Sequence, residues 1–188
     1  MTVGAVEGTK HSLDVLKSDK SMQQEVFQLD FPAQKEEKVL GIAFLDPDPV
    51  TNVSYGMKAT YAEESTEDNP VIKVTVTKNG EKEPYYINIK EINPAAATEL
   101  EMFALCCYAD STGQGTGHTF GTWRSLCLYR QNALSVHSFQ SSSSMDAYDS
   151  LRQDWITMVE GIRTLYVKAG LYKQSVMGDV LLRLFQKF

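Results

Sequence analysis

The chain lacks any run of about 18 consecutive apolar residues, the length needed to cross a bilayer as a helix, and its start has no basic segment followed by an apolar one. Membrane spanning and secretion by a cleaved signal are therefore not expected. There is no block of lysine and arginine. A formal charge of -6 instead disfavours nucleic acid and anionic membrane surfaces through general repulsion. Cysteine is scarce: three residues, an odd number, cannot form a complete set of intrachain disulfides. Adjacent Cys106 and Cys107 in a helix would also point apart. Reduced, buried thiols and a cytoplasmic location follow as expectations. Also missing are a Cys-x-x-Cys knuckle, a P-loop lysine and dinucleotide spacing, so no metal and no cofactor is expected.

What is present is apolar periodicity. With 188 residues and 43% hydrophobic content the chain can bury one substantial core but hardly two. Residues 1–37 are polar and carry a charge cluster, Lys35-Glu36-Glu37-Lys38, with thinly scattered apolar residues. They read as a tether open to ordering on a partner, leaving residues 38–188 as a single α+β domain, sheet over 38–92 and helices over 93–188. Residues 39–45 form a β-like apolar run, stopped by Asp46-Pro47-Asp48-Pro49. Val53, Tyr55, Met57, Ala59 and Tyr61 alternate, as in a half-buried strand, with Gly56 placed for a bulge. An acidic loop over residues 63–69 ends at Pro70. Residues 71–77 and 85–89 alternate as well, and Asn79-Gly80 between them tolerates positive φ, which predicts a hairpin. Four strands with short links predict a four-stranded, mainly antiparallel meander.

Residues 93–110 should supply its cover. Asn93 suits an N-cap and Pro94 the first helical position, while Glu99 and Glu101 favour the positive end of the helix dipole. From Leu100 to Tyr108 apolar residues point in nearly every direction. Such a helix is buried on two sides, by the sheet on one and by three later helices on the other. Phe120, Trp123, Leu126 and Cys127 approximate the stripe of the first of these, over residues 122–132. A polar link over 138–144 then offers a hinge. Trp155, Met158, Val159, Ile162, Leu165, Tyr166 and Ala169 follow the i, i+3, i+4, i+7 pattern, Gly170 ends that helix, and Met177, Val180, Leu181, Leu184, Phe185 and Phe188 define one more.

No constellation carries a reaction in the sequence. Gly113-Gln114-Gly115-Thr116-Gly117 could cradle an anion with its backbone N–H groups, but it follows a helix rather than a strand, so it reads as a connector. Cys106, Cys107, His118 and Cys127 could converge on a metal only without the usual ligand spacing. Cys127 as nucleophile, with His118 or His137 as base and Asp110 as orienter, is the least unfavourable catalytic set, and would make the chain a hydrolase. Asp46 with Asp48, and Glu99 with Glu101, are not placed as acid/base couples. Asn52-Val53-Ser54 would matter only in a secreted eukaryotic chain. Tyrosine is plentiful, and aromatic residues are favoured at protein interfaces. Trp155, Tyr166, Tyr172, Phe185 and Phe188 on the terminal helices are therefore expected at an interface with a protein partner or another copy, in a non-enzymatic binding or assembly module.

Ile87-Asn88-Ile89-Lys90-Glu91-Ile92-Asn93-Pro94, Ala97-Thr98-Glu99-Leu100-Glu101-Met102-Phe103-Ala104-Leu105-Cys106 and Phe120-Gly121-Thr122 resemble an uncharacterised family of hypothetical proteins from Gram-positive anaerobic bacteria. The likeness covers residues 71–130. It implies a bacterial, intracellular origin and transfers no functional residue.

Overall fold

Four antiparallel strands in spatial order β1-β2-β3-β4 form the sheet: β1 (Val39–Leu45), β2 (Tyr55–Tyr61), β3 (Val71–Lys78) and β4 (Glu81–Asn88). The computed structural model describes residues 37–45, 55–134 and 148–188, with side chains not described at Leu45 and over 128–134. The tether expected over 1–37, Glu37 apart, and the hinge expected over 138–144 lie outside these residues.

Strand alternation decides which face is buried. Tyr55, Met57 and Ala59 of β2 and Ile72, Val74 and Val76 of β3 point inward, and Ile87 joins them from β4. The β3–β4 connection is a two-residue turn closed by the Lys78↔Glu81 pair. Asn79 (φ 51°) and Gly80 (φ 88°) both occupy the left-handed region, as a turn matching the strand twist requires. Gly56, expected at a bulge, sits in regular register between Phe44 and Thr77. The register shift lies instead between Val39 and Gly41. There β1 approaches the central helix so closely that a Cβ on Gly41 would stand 2.5 Å from Cys107 Sγ.

That central helix, α1 (Glu99–Ser111), starts later than the Asn93-Pro94 signal suggests. Asn93 does cap, accepting from Ala95 N–H at 3.0 Å, but it caps only a single 3₁₀ turn over Pro94–Ala96. Thr98 and Glu101 form the capping box of α1: Glu101 N–H donates to Thr98 Oγ1 at 3.2 Å, and Thr98 N–H donates to Glu101 Oε2 at 2.8 Å. Two orphan donors satisfied reciprocally outweigh a lone Asx turn. Ala97, extended between the two, pairs as an isolated bridge with Gln153. From Leu100 to Ala109, α1 is buried except at Tyr108 and half-exposed Glu101. The helix touches β1, β2 and β3 on one side and α2 (Thr119–Leu134) on the other.

The last two helices, α3 (Trp155–Lys168) and α4 (Tyr172–Phe185), pack as a hairpin whose turn contains Gly170 at φ 72°. Polar contacts help bind this hairpin, and the segment leading into it, to the remainder, beside the packing of α3 and α4 on α2. Trp155 Nε1 donates to Ala97 O at 2.9 Å, Tyr166 hydroxyl donates to Leu126 O, and Arg152 holds Glu101 through both carboxylate oxygens at 2.8 and 3.0 Å. Glu101 thus closes the cap of α1 and anchors the approach to α3 at once. The fold is α+β, a meander on a buried central helix followed by three more helices.

One buried polar group stands out. Glu37 crosses the outer face of the sheet to pair with Lys58 (3.2 Å) and Lys73 (2.9 Å), and Thr60 lies opposite Lys73 on that face. Thr60 is 1% exposed and its hydroxyl finds no hydrogen-bond partner among the described residues. An unsatisfied buried hydroxyl costs about 1–3 kcal/mol. Thr60→Val, equal in shape, is expected to stabilise the protein by about 1 kcal/mol, read as a higher urea midpoint at unchanged slope.

Candidate functional site

The glycine-rich connector between α1 and α2 already holds an anion, and the anion is the chain's own. Asp110, near the end of α1, accepts from Gly117 N–H and Thr119 N–H, both at 2.8 Å, and from Thr119 Oγ1 at 2.6 Å. A carboxylate at a helix N-terminus satisfies the free N–H groups and complements the dipole, which occupies the donors a phosphate would need. Gly113 and Gly117 have φ of 74° and 84°, whereas Gly115 is required for space. A Cβ there would lie 2.1 Å from Asp110 Oδ1 and 2.5 Å from Thr119 Oγ1. Gly115→Ala should therefore force Asp110 out of the cap and cost about 1–3 kcal/mol, as overpacking does; a thermal unfolding curve indistinguishable from the parent's would refute this account of the loop.

The residues of the expected catalytic set are not brought together. Asp110 spends its carboxylate on the start of α2. His118 is exposed just ahead of α2, and Cys127 is buried nine residues further along it, roughly 13 Å away at 1.5 Å per residue. His137 lies outside the described residues. Burial holds the Cys106 thiol protonated, well above its usual range, and pushes Cys107 up to about 12. Neutral thiols are poor nucleophiles and poor ligands. Among the described residues no group of three or more His, Cys, Asp or Glu side chains could hold a metal ion.

Burial also raises the pKa of Glu99, at the first position of α1, with the Arg124 charge opposing it. A carboxyl whose folded pKa lies above its unfolded value contributes stability at low pH that is lost as the pH rises through the folded value. Glu99→Gln should then be more stable than the parent at neutral pH, with the difference closing as the pH falls into the ordinary carboxylate range. Urea titrations at pH 7 and at pH 4.5 would check this; a constant difference would locate the effect elsewhere.

Of the five expected interface residues, Trp155, Tyr166 and Phe185 are core. Trp155 tilts against Trp123 with ring centroids 5.0 Å apart, and Tyr166 and Phe185 are fully covered by their own chain. Amphipathic stripes mark a face that needs covering, and here α2 and the α3–α4 contact cover it. Tyr172 and Phe188 remain on the surface, and Tyr172 is joined by Val176 and Val180 at i, i+4 and i+8. The surplus tyrosines likewise serve the core edge: Tyr148 stacks edge-on against both Tyr55 and Tyr85, and the Tyr85 and Tyr148 hydroxyls meet at 3.3 Å.

The most exposed apolar surface among the described residues of the sheet is one the periodicity did not single out. Ile42 (60% exposed) and Phe44 (75%) stand on the outer face of β1, and Tyr86 (57%) on that of β4. A groove of about 510 Å³ runs beside the first two, lined by Ile42, Phe44, Gly56, Lys58 and Thr77 and ending at the Asn79-Gly80 turn. The hint in the sequence was the unbroken apolar run over 39–45. Such a run suits a strand covered on both faces, and β1, at the edge of the described sheet, leaves Ile42 and Phe44 exposed on one face.

Fold and surface together define an α+β protein with exposed apolar side chains on the outer face of β1. No family model, curated protein or solved structure matches the chain. No helix of the described residues is long and apolar enough to cross a membrane.

Proposed function

We propose that the chain is a non-enzymatic protein-binding or assembly module of the bacterial cytoplasm, engaging a protein partner or a second copy through the sheet face or the C-terminal helical hairpin. The observation that carries this reading is the exposure of Ile42 and Phe44, side by side on the outer face of β1, with no layer over them among the described residues. Contiguous exposed apolar surface rimmed by polar groups marks interaction sites, and Lys58 and Thr77 supply such a rim. The α4 ridge of Tyr172, Val176 and Val180 is the second such surface. The bacterial setting carries forward the expectation drawn from residues 71–130.

Light scattering after size exclusion, across a dilution series, tests the self-assembly form of this reading. A mass above that of one chain at high concentration, falling on dilution, is expected. A single-chain mass at every concentration would remove self-assembly and leave only a foreign partner.

A further inference from the structure

The two edges of the sheet are built differently. On β4, Glu81, Lys82 and Glu83 are exposed and Pro84 has no N–H to offer, which are the usual guards against strand addition. From Val39 to Leu45, β1 contains neither charge nor proline. Its irregularity is confined to the Val39–Gly41 end, and from Gly41 to Leu45 the register is regular. The midpoint of that regular stretch is Ala43.

The Phe44 carbonyl accepts from Arg124 Nη1, so it points away from β2, to the side of β1 where no described strand lies. Successive residues of a strand turn their backbone groups to opposite sides, so Ile42 shares this direction with Phe44. We propose that β1 pairs antiparallel with β1 of a second copy about a two-fold axis at Ala43, joining two four-stranded meanders into one eight-stranded sheet. The proposal rests on the assembly reading above and specifies its surface.

In this register Ile42 lies opposite Phe44 of the second copy, and Phe44 opposite its Ile42. The two pairs exchange N–H···O bonds and place an aromatic ring against a β-branched side chain, a favoured cross-strand combination. The exposed apolar side chains of β1's outer face thereby become each other's cover. Ala43 meets Ala43 in the close, non-hydrogen-bonded position, where Cα atoms stand about 4.5 Å apart and a small side chain fits. A carbonyl oxygen has two lone pairs, so Phe44 O can keep Arg124 while it accepts from the incoming strand. The guarded β4 edge decides where growth stops: β1 pairs with β1, a two-fold contact that closes on itself, and among the described strands no unguarded edge remains to propagate a fibre.

Two variants and one cross-link test this. Ile42→Lys/Phe44→Lys sets like charges directly opposite each other across the axis, at positions so exposed that the single chain should fold unchanged. Tyr172→Lys disrupts the other exposed ridge. Light scattering is expected to show a dimer for the parent and for Tyr172→Lys, and a monomer for the double variant with the parent's circular dichroism. Ala43→Cys, mildly oxidised, is expected to run as a covalent dimer, since the close pair lies within disulfide range. A monomeric parent at every concentration overturns both this interface and self-assembly. A dimer that survives the double variant, that is lost with Tyr172→Lys, or that fails to cross-link through Ala43→Cys overturns this interface while leaving assembly intact.

Discussion

Phe103→Ala is expected to lower the unfolding free energy by about 3–5 kcal/mol, the range for removing a buried aromatic side chain. Phe103 is buried in the middle of α1 and stacks edge-on against Phe120 of α2, with centroids 5.1 Å apart at 75°. On the other side its ring tip is 4.0 Å from where a Cβ on Gly41 would be, so the same ring touches β1. Removal opens a cavity between sheet, central helix and second helix, and these layers cannot close it because α1 is already in tight contact with β1 at Gly41 and Cys107. With total stabilities of about 5–15 kcal/mol typical, such a loss would leave a marginal protein. Phe103→Leu, which keeps most of the volume, should cost clearly less. Urea unfolding of the three proteins settles the matter: a Phe103→Ala penalty below about 1 kcal/mol would mean that α1 is not the centre of the core.

Tyr166→Ala should be comparably severe for a different reason. Tyr166 is fully buried in α3 and its hydroxyl donates to the Leu126 carbonyl of α2. Truncation removes the ring at about 3–5 kcal/mol together with the hydroxyl's hydrogen bond to a carbonyl that α2 itself still satisfies. Tyr166→Phe isolates that hydrogen bond, about 0.5–1.5 kcal/mol. Both losses should be independent of protein concentration, because Tyr166 is covered by its own chain. A variant that changed the mass in solution while leaving the unfolding midpoint intact would return Tyr166 to an interface role.

Local rules made much of this fold legible in advance. The Asn79-Gly80 hairpin follows from two residues that tolerate positive φ, and the β2 and β3 faces follow from alternation over a few positions. The α3 and α4 stripes follow from helical spacing. Each depends on interactions within a turn or between adjacent strands, which is why one sequence suffices to read them. The candidate chemistry was legible only as residue types. Cys127, His118 and Asp110 are compatible with a nucleophile, a base and an orienting group until the helix axis separates the first two and the Asp110 carboxylate is taken up by Gly117 and Thr119.

By itself, the sequence determined the fold class, the order of the elements, the buried character of α1 and the lack of a convergent motif. Tertiary structure reinforced the Thr98–Glu101 capping box that starts α1, since Glu101 also holds Arg152 and only the folded chain brings Arg152 near. It also decided that Trp155, Tyr166 and Phe185 are core while Ile42 and Phe44 are surface. An apolar side chain states that it should be covered; which element covers it, or whether any does, depends on residues distant in sequence, and that choice is made only when the layers assemble.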